Sequence, residues 1–236
     1  LSLRATMPRL LDVELTHRSL ILGLRKTAST PAAGARYGLF QTPESGMQTL
    51  VDALEEALDL GGTKIERSAR IDSLQSIEAD RTVLALPAAA AAELLDGDLA
   101  EELRGIPTTG SATVNLVWGA DEVPRLRGYG FVVPAVEKRF VMACTFSSNK
   151  YEGRSDPDRQ VLRAFVGGAL GPDISTLSNE ELSEGARRDV SEFLGIRAQP
   201  QRSLVTRYVR AQPQYELGHL DRVARIEAAV AEKTDL

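Results

Sequence analysis

Apolar positions along the chain change period several times, and each change marks an element. In "MPRLLDVELTHRSLILGLRK", residues 7–26, Leu10, Leu11, Leu15, Leu20, Ile21 and Leu24 form a broad stripe that predicts one helix. The small-residue stretch "TASTPAAGAR" reads as a loop, and "YGLFQT" as a short strand. Helical period returns in "PESGMQTLVDALEEAL", where Met47, Leu50, Val51, Leu54 and Leu58 share a face after Ser45-Gly46. "TKIERSARIDSLQ" reads as short strands. "RTVLALP" is apolar at nearly every position and stops at Pro87, as expected of a strand buried on both faces. "AAAAAELL" resumes as helix.

The next stretch alternates instead. "GSATVNLVWG", "GYGFVVP", "RFVMACTFSS" and "VLRAFVGG" are rich in β-branched and aromatic residues and bounded by Gly, Pro and Asp, which predicts strands. Their short connections favour an antiparallel meander. "SNEELSEGARRDVSEFLG" is a helix, with Ser178 as its cap, Glu181 completing a capping box and Gly195 closing it. "RSLVTRYV" is a further strand and "LDRVARIEAAVAEK" a final amphipathic helix. The fold class is mixed α/β, with α/β-like parts over 40–100 and an antiparallel sheet with a covering helix over 105–212. Within "GYGFVVP", Gly128 and Gly130 flank Tyr129. Glycines inside a strand mark a bulge or the close approach of another group.

At 236 residues the chain is long enough for one large domain or two modest ones, each able to bury a core. Apolar residues make up 43% and charged residues 26%, an ordinary globular balance. The formal net charge of -5 gives no reason to expect nucleic acid as a partner. No apolar run approaches the roughly 20 residues of a spanning helix, which leaves peripheral membrane contact open. One cysteine, Cys144, excludes an intrachain disulfide and suits a reducing compartment. With only His17 and His219 beside it, a structural zinc site is not expected. The chain opens on Leu and stops just after a helix, which reads as an internal piece of a longer protein, or as a chain shown without its ends.

No nucleotide-binding glycine loop, metalloprotease motif or hydrolase elbow occurs. Cys144 lies in a strand and reads as core, His17 as a surface or interface histidine, and the paired glutamates as solvated helix faces. One segment is more particular. In "TRYVRAQPQYELGHLDRV" a strand carrying Arg207 and Tyr208 runs into Gln212-Pro213-Gln214-Tyr215, then Gly218-His219 and a helix.

Taken with "HRSLILGLRKT" (17–27), "FQTPESGMQTLVDAL" (40–54) and "GYGFVVP…RFVMACTFSSNKYEGR…VLRAFVGG" (128–168), that segment resembles the flavin-dependent protoporphyrinogen and coproporphyrinogen oxidases of haem biosynthesis. The bacterial branch, commonly of the coproporphyrinogen type, matches best, through "ACTFSSNK" and "LRAFVGG". The resemblance implies a portion of a monoamine-oxidase-type flavoprotein, with an antiparallel-rich mixed substrate sheet, helices and parts of the FAD domain. On that map residues 1–26 end a helical, membrane-facing portion, 27–104 are mainly FAD-domain segments, 105–212 form the substrate-binding sheet, and 213–236 return toward the FAD domain. The implied cofactor is FAD, the substrate a porphyrinogen, and the oxidant molecular oxygen. The implied location is the cytoplasm, with peripheral membrane contact and a homodimer both compatible.

Residue by residue, the resemblance implies that Tyr129, Val132 and Phe165 line the porphyrinogen slot, and that Ile71 and Tyr208 meet the cofactor. A planar ligand lying on bare backbone would also account for Gly128 and Gly130. The departures are specific. The family's strand–glycine loop–helix for the FAD pyrophosphate is not in this sequence, nor is its closing glycine-rich segment. The region around Gln75-Ser76 is shorter than the family's strand pair. Gln212-Pro213-Gln214-Tyr215 stands where the family usually shows M-P-Q-Y, and Tyr208 stands in place of a tryptophan. FAD binding is therefore expected to need residues outside this chain. The competing readings are a non-catalytic tetrapyrrole-binding module and another amine-oxidase-like flavoenzyme.

Overall fold

The computed structural model describes residues 1–28 and 42–233. The loop and strand read over 27–42 fall largely outside these residues. In chain order the described residues form α1 (Leu3–Thr6), α2 (Pro8–His17), α3 (Leu20–Ala28), α4 (Gln48–Leu60), α5 (Ala88–Leu94), α6 (Gly97–Arg104) and β1 (Thr108–Gly119). There follow β2 (Gly130–Val132), β3 (Val141–Phe146), α7 (Ser147–Lys150), β4 (Arg159–Gly167), α8 (Asn179–Leu194), β5 (Arg202–Pro213) and α9 (His219–Ala231). Two compact units result. The first joins Leu1–Pro107 with Gln214–Leu236, and the second is Thr108–Pro213.

In the first unit the single helix expected over 7–26 is broken. Arg18 takes a left-handed conformation (φ 54°), so α2 stops there and α3 folds back on it. Gly23 makes the hairpin possible: a Cβ there would stand 2.3 Å from Val13 Cγ1 and 2.9 Å from His17 Cδ2. The break lets His17 become half-buried against α3. The helix expected from Met47 to Leu58 forms as α4, yet its apolar face stays between 46% and 57% exposed.

The strands expected in "TKIERSARIDSLQ" and "RTVLALP" do not form. Their place is taken by extended chain with one short turn at Leu74–Ser76. A strand needs a lateral neighbour to satisfy its backbone. The backbone groups of Arg81–Leu86 find no partner among the described residues, and Val83 is 89% exposed. A small core does form where α5 and α6 meet α9, built from Leu95, Leu99 and Ala100 with Leu84, Ile226 and Val230 around them. Glu102 ties it together, accepting from Arg222 at 2.8 Å and Arg225 at 2.5 Å.

The second unit is a five-stranded sheet in the order β2-β3-β4-β1-β5, with every ladder antiparallel. The expected meander covers β2, β3 and β4 only. β1 does not pair with β2; it lies between β4 and β5. Its length and alternation explain the position. Ala112, Val114, Leu116 and Trp118 are all fully buried, which only a central strand allows, whereas the three-residue β2 suits an edge. α8 covers the face these residues define, with Leu182, Ala186 and Val190 packed on them. Its capping box forms as expected: Ser178 Oγ accepts from Glu181 N, and Glu181 Oε2 accepts from Ser178 N at 2.7 Å. Gly195 ends the helix at φ 69°. The buried carboxylate of Asp189 fixes α8 to the start of β3, accepting from Phe140 N at 2.6 Å and Val141 N at 3.2 Å.

Candidate functional site

Strand alternation gives the sheet of the second unit two unlike faces. One is the core beneath α8. Paired registers define the other. Val132, Ala143, Phe165, Thr113 and Thr206 stand opposite one another across all five strands. The adjacent row is Gly130, Thr145, Arg163, Asn115 and Leu204. Tyr208, opposite Ser111, occupies the next row on the far side of the first. The β2 end of this face carries small residues (Gly130, Ala143, Thr145), so it presents a low, nearly flat ledge with Val132 rising at its rim.

Three of the residues singled out from sequence therefore share one face. Val132 is 80% exposed, Phe165 half-buried and Tyr208 46% exposed. Val132 and Phe165 are two strands apart, about 10 Å by ordinary strand spacing. Tyr129 lies just beyond the β2 end, 66% exposed, where its carbonyl accepts from Phe146 N at 2.9 Å. The bulge expected between Gly128 and Gly130 is not in the β2–β3 register, which is regular. The register shift lies instead on β3, between Val141 and Ala143.

The two glycines are explained separately. At Gly130 the approaching group is backbone: a Cβ would stand 2.2 Å from the Cys144 carbonyl oxygen, and φ is 148°. A ligand is not needed to account for it. Gly128 has φ 81° and open space where a Cβ would be. Its left-handed turn releases Tyr129 from the alternation of β2.

Ile71 belongs to the first unit. It is 43% exposed and lines a cavity of about 750 Å³ together with Leu74, Val83, Leu86 and Leu94. Arg70, Asp72, Thr82 and Glu93 add polar edges, and Arg70 Nε donates to Asp72 at 2.6 Å. Tyr215 stacks on His219 with ring centroids 4.2 Å apart, and its carbonyl accepts from Ser2 N at 2.6 Å. This contact fastens the "QPQYELGH" turn to the start of α9 and to the chain's first residues.

Cys144 is core, as its strand context suggested. Burial pushes its thiol up to about 12. Among the described residues no group of His, Cys, Asp and Glu can hold a metal ion, and no helix is long and apolar enough to cross a membrane. Two polar side chains of the open face, Arg163 and Asn115, are not among the residues expected from sequence. The signal was available, because Arg163 and Phe165 fall on the same side of "VLRAFVGG" by simple alternation.

Among curated proteins, coproporphyrinogen III oxidase of Bacillus subtilis (strain 168) is 31% identical over 249 residues, covering 98% of this chain and 53% of that protein. Human protoporphyrinogen oxidase is 29% identical over 250 residues, covering 93% and 52%. Among solved structures, a protein from Exiguobacterium sp. 255-15, provisionally named a protoporphyrinogen oxidase, superimposes with a TM-score of 0.75 at 29% identity, over 98% of this chain and 52% of that one. The chain thus spans about half the length of the curated relatives it matches. The flavin containing amine oxidoreductase family matches residues 1–222, from the helical hairpin through the sheet to the first turn of α9. A match running through both units is a match to the architecture and not to one motif, and the chain belongs to the flavin-containing amine oxidoreductases.

Proposed function

We propose that this chain is part of an FAD-dependent, oxygen-utilising enzyme that dehydrogenates a porphyrinogen, either coproporphyrinogen III to coproporphyrin III or protoporphyrinogen IX to protoporphyrin IX. The observation that carries the reading is the open sheet face. It is flat and low at one end, bounded by Val132, Phe165 and the nearby Tyr129, and uncovered by the helix that seals the opposite face. A large flat apolar ring needs such a floor, with few polar groups around it. The names of the relatives supply the substrate class.

Residues 105–212 act in this reading as the substrate sheet, with Tyr129, Val132 and Phe165 holding the macrocycle. Residues 27–104 and 213–236 belong to the flavin domain, and 1–26 end a helical portion that faces a membrane. Bound flavin would accept hydride from the ring and pass electrons to molecular oxygen, giving hydrogen peroxide. The chain's own task is to seat and orient the substrate. Ile71, with the apolar walls and polar edges of its cavity, suits the flat adenine end of FAD. Tyr208 is the second cofactor contact in this reading. The sequence carries no glycine loop for the pyrophosphate, so residues 1–236 alone should not retain FAD. We place the enzyme in the cytoplasm, with peripheral membrane contact and a homodimer both compatible.

The test is turnover of both porphyrinogens, followed by porphyrin fluorescence, in the protein that carries this chain. Tyr129→Ala and Val132→Ala should lower kcat/KM about tenfold or more with melting little changed. Unchanged kinetics in both variants would remove these residues from the slot. Stoichiometric yellow flavin on residues 1–236 alone would overturn the division of the cofactor site.

A further inference from the structure

We propose that Arg163 is the carboxylate-binding residue of the open sheet face, receiving an acidic side chain of the macrocycle that lies over Val132 and Phe165. The inference rests on the tetrapyrrole reading above and adds the group that recognises the ring's charge.

Three observations carry it. The first is position. Arg163 lies two residues before Phe165 on β4, about 6.6 Å along the strand, and the register sets it between Thr145 and Asn115. It stands at the edge of the apolar row and not within it. A ring resting on Val132 and Phe165 would bring its peripheral side chains to this neighbouring row.

The second is charge. No aspartate or glutamate occurs at any open-face position of the five strands. Arg139, Arg159 and Arg187 of the same unit are neutralised by carboxylates, whereas among the described residues Arg163 and Arg202 of the open face are not, and of these two only Arg163 adjoins the Val132–Phe165 row. Arg139 makes a two-pronged pair with Glu192 at 2.7 and 2.8 Å, Arg187 binds Glu184, and Arg159 pairs with Asp156. Arg163 meets no carboxylate among the described residues. It is a cation on an otherwise uncharged part of the ledge, where an arriving anion meets no competitor.

The third is orientation. Arg163 Nε donates to Asn115 Oδ1 at 2.8 Å. That bond holds the guanidinium by one edge and leaves its two terminal nitrogens for a ligand. A carboxylate is the planar two-oxygen group that such an edge binds bidentately. A solvated arginine with a free stem would offer no such arrangement.

The experiment titrates the protein that carries this chain with coproporphyrin III and with its tetramethyl ester, followed by porphyrin fluorescence anisotropy in one detergent-containing buffer. The ester keeps the flat ring and removes the negative charge. The wild type should bind the acid about tenfold or more tightly than the ester, and the preference should shrink in high salt. Arg163→Met should lose most of that preference while leaving ester affinity unchanged, and Arg163→Lys should keep part of it. Because Arg163 is exposed, both variants should melt with the wild type, which removes misfolding as an explanation. An Arg163→Met chain that still prefers the acid overturns the assignment while leaving the tetrapyrrole reading in place. A wild-type chain that binds neither compound overturns that reading, and the assignment with it.

Discussion

Replacing Gly130 by alanine should destabilise the second unit by about 2–4 kcal/mol, and the number can be built from the structure. Gly130 opens β2 at φ 148°, a region open to glycine and costly for any other residue, by about 1–3 kcal/mol. The added methyl would also sit 2.2 Å from the Cys144 carbonyl oxygen and 3.0 Å from Thr145 Cα. Both are backbone, so no side chain can swing aside. The relief available is for β2 to pull away from β3. That disrupts the three-residue ladder and draws Phe131 from its edge-to-face contacts with Phe146, at 6.1 Å, and Phe193, at 5.4 Å. Phe131 is only half-buried, so withdrawing it adds about 1 kcal/mol to the strain. An edge strand can detach without unfolding the rest, which caps the total. Trp118, the lone tryptophan, is fully buried in this unit and reports its unfolding directly. Urea titration of its fluorescence should show the loss as a lower midpoint with a similar slope. Gly128→Ala is the control. Its φ of 81° strains an alanine, but the space is open, so it should cost only about 1 kcal/mol. A Gly130→Ala chain within about 0.5 kcal/mol of wild type, or one no worse than Gly128→Ala, would refute the claim that strand packing dictates this glycine.

Three further outcomes are expected. A hydrogen bond from Arg225 holds the Glu102 carboxyl below its ordinary range, against partial burial and with added attraction from Arg225 and Arg222. Because the folded-state value is the lower one, the α6–α9 contact should keep full strength above the ordinary carboxyl value of about 4.5 and weaken as pH falls from there through the depressed value. Amide-exchange protection in α9 should drop accordingly, and a Glu102→Gln chain with the same acid-side drop would count against it. Cys144, with its thiol pushed up to about 12 by burial, should resist a thiol reagent at about pH 8 and react only on unfolding; fast labelling of the folded chain would contradict the core placement. Tyr215→Ala removes the stack on His219 and should loosen the start of α9 by about 1 kcal/mol, read as faster exchange there; unchanged exchange would make the stack incidental.

How legible the fold was depends on where each element finds its partners. α8 carries its instructions locally. Ser178, Glu181 and Gly195 are its caps, and its apolar face needs only one sheet to lie on, so the sequence reading and the structure agree. The sheet strands were legible for the same reason, since alternation in β1 and β4 is a local property. Their order was not. Nothing within "GSATVNLVWG" says that it pairs with β4 and β5 and not with the next strand in line. The failures lie where an element depends on distant chain. The stripe over 7–26 has the right period but hides a hairpin, because Gly23 can serve close helix packing as readily as helix weakness. "RTVLALP" has a buried strand's composition. Yet a strand exists only when neighbours bond its backbone, and the described residues supply none.

The candidate site was half legible for a related reason. Alternation within one strand tells which residues share a face, so Phe165 falls on the side away from the buried Leu162, Ala164 and Val166. It does not tell which residues of different strands form a row. Val132 and Phe165 are 33 positions apart in sequence, and only the β2–β3–β4 register aligns them through Ala143. The glycines of "GYGFVVP" show the converse error. A ligand would account for bare backbone at Gly130, but the carbonyl of the adjacent strand already demands it. A glycine that its own fold requires carries no information about a ligand. An arginine beside an amide, on a face without acid, does carry some, because the fold supplies it no counter-charge. By that criterion Arg163 is better evidence for what the face binds than either glycine.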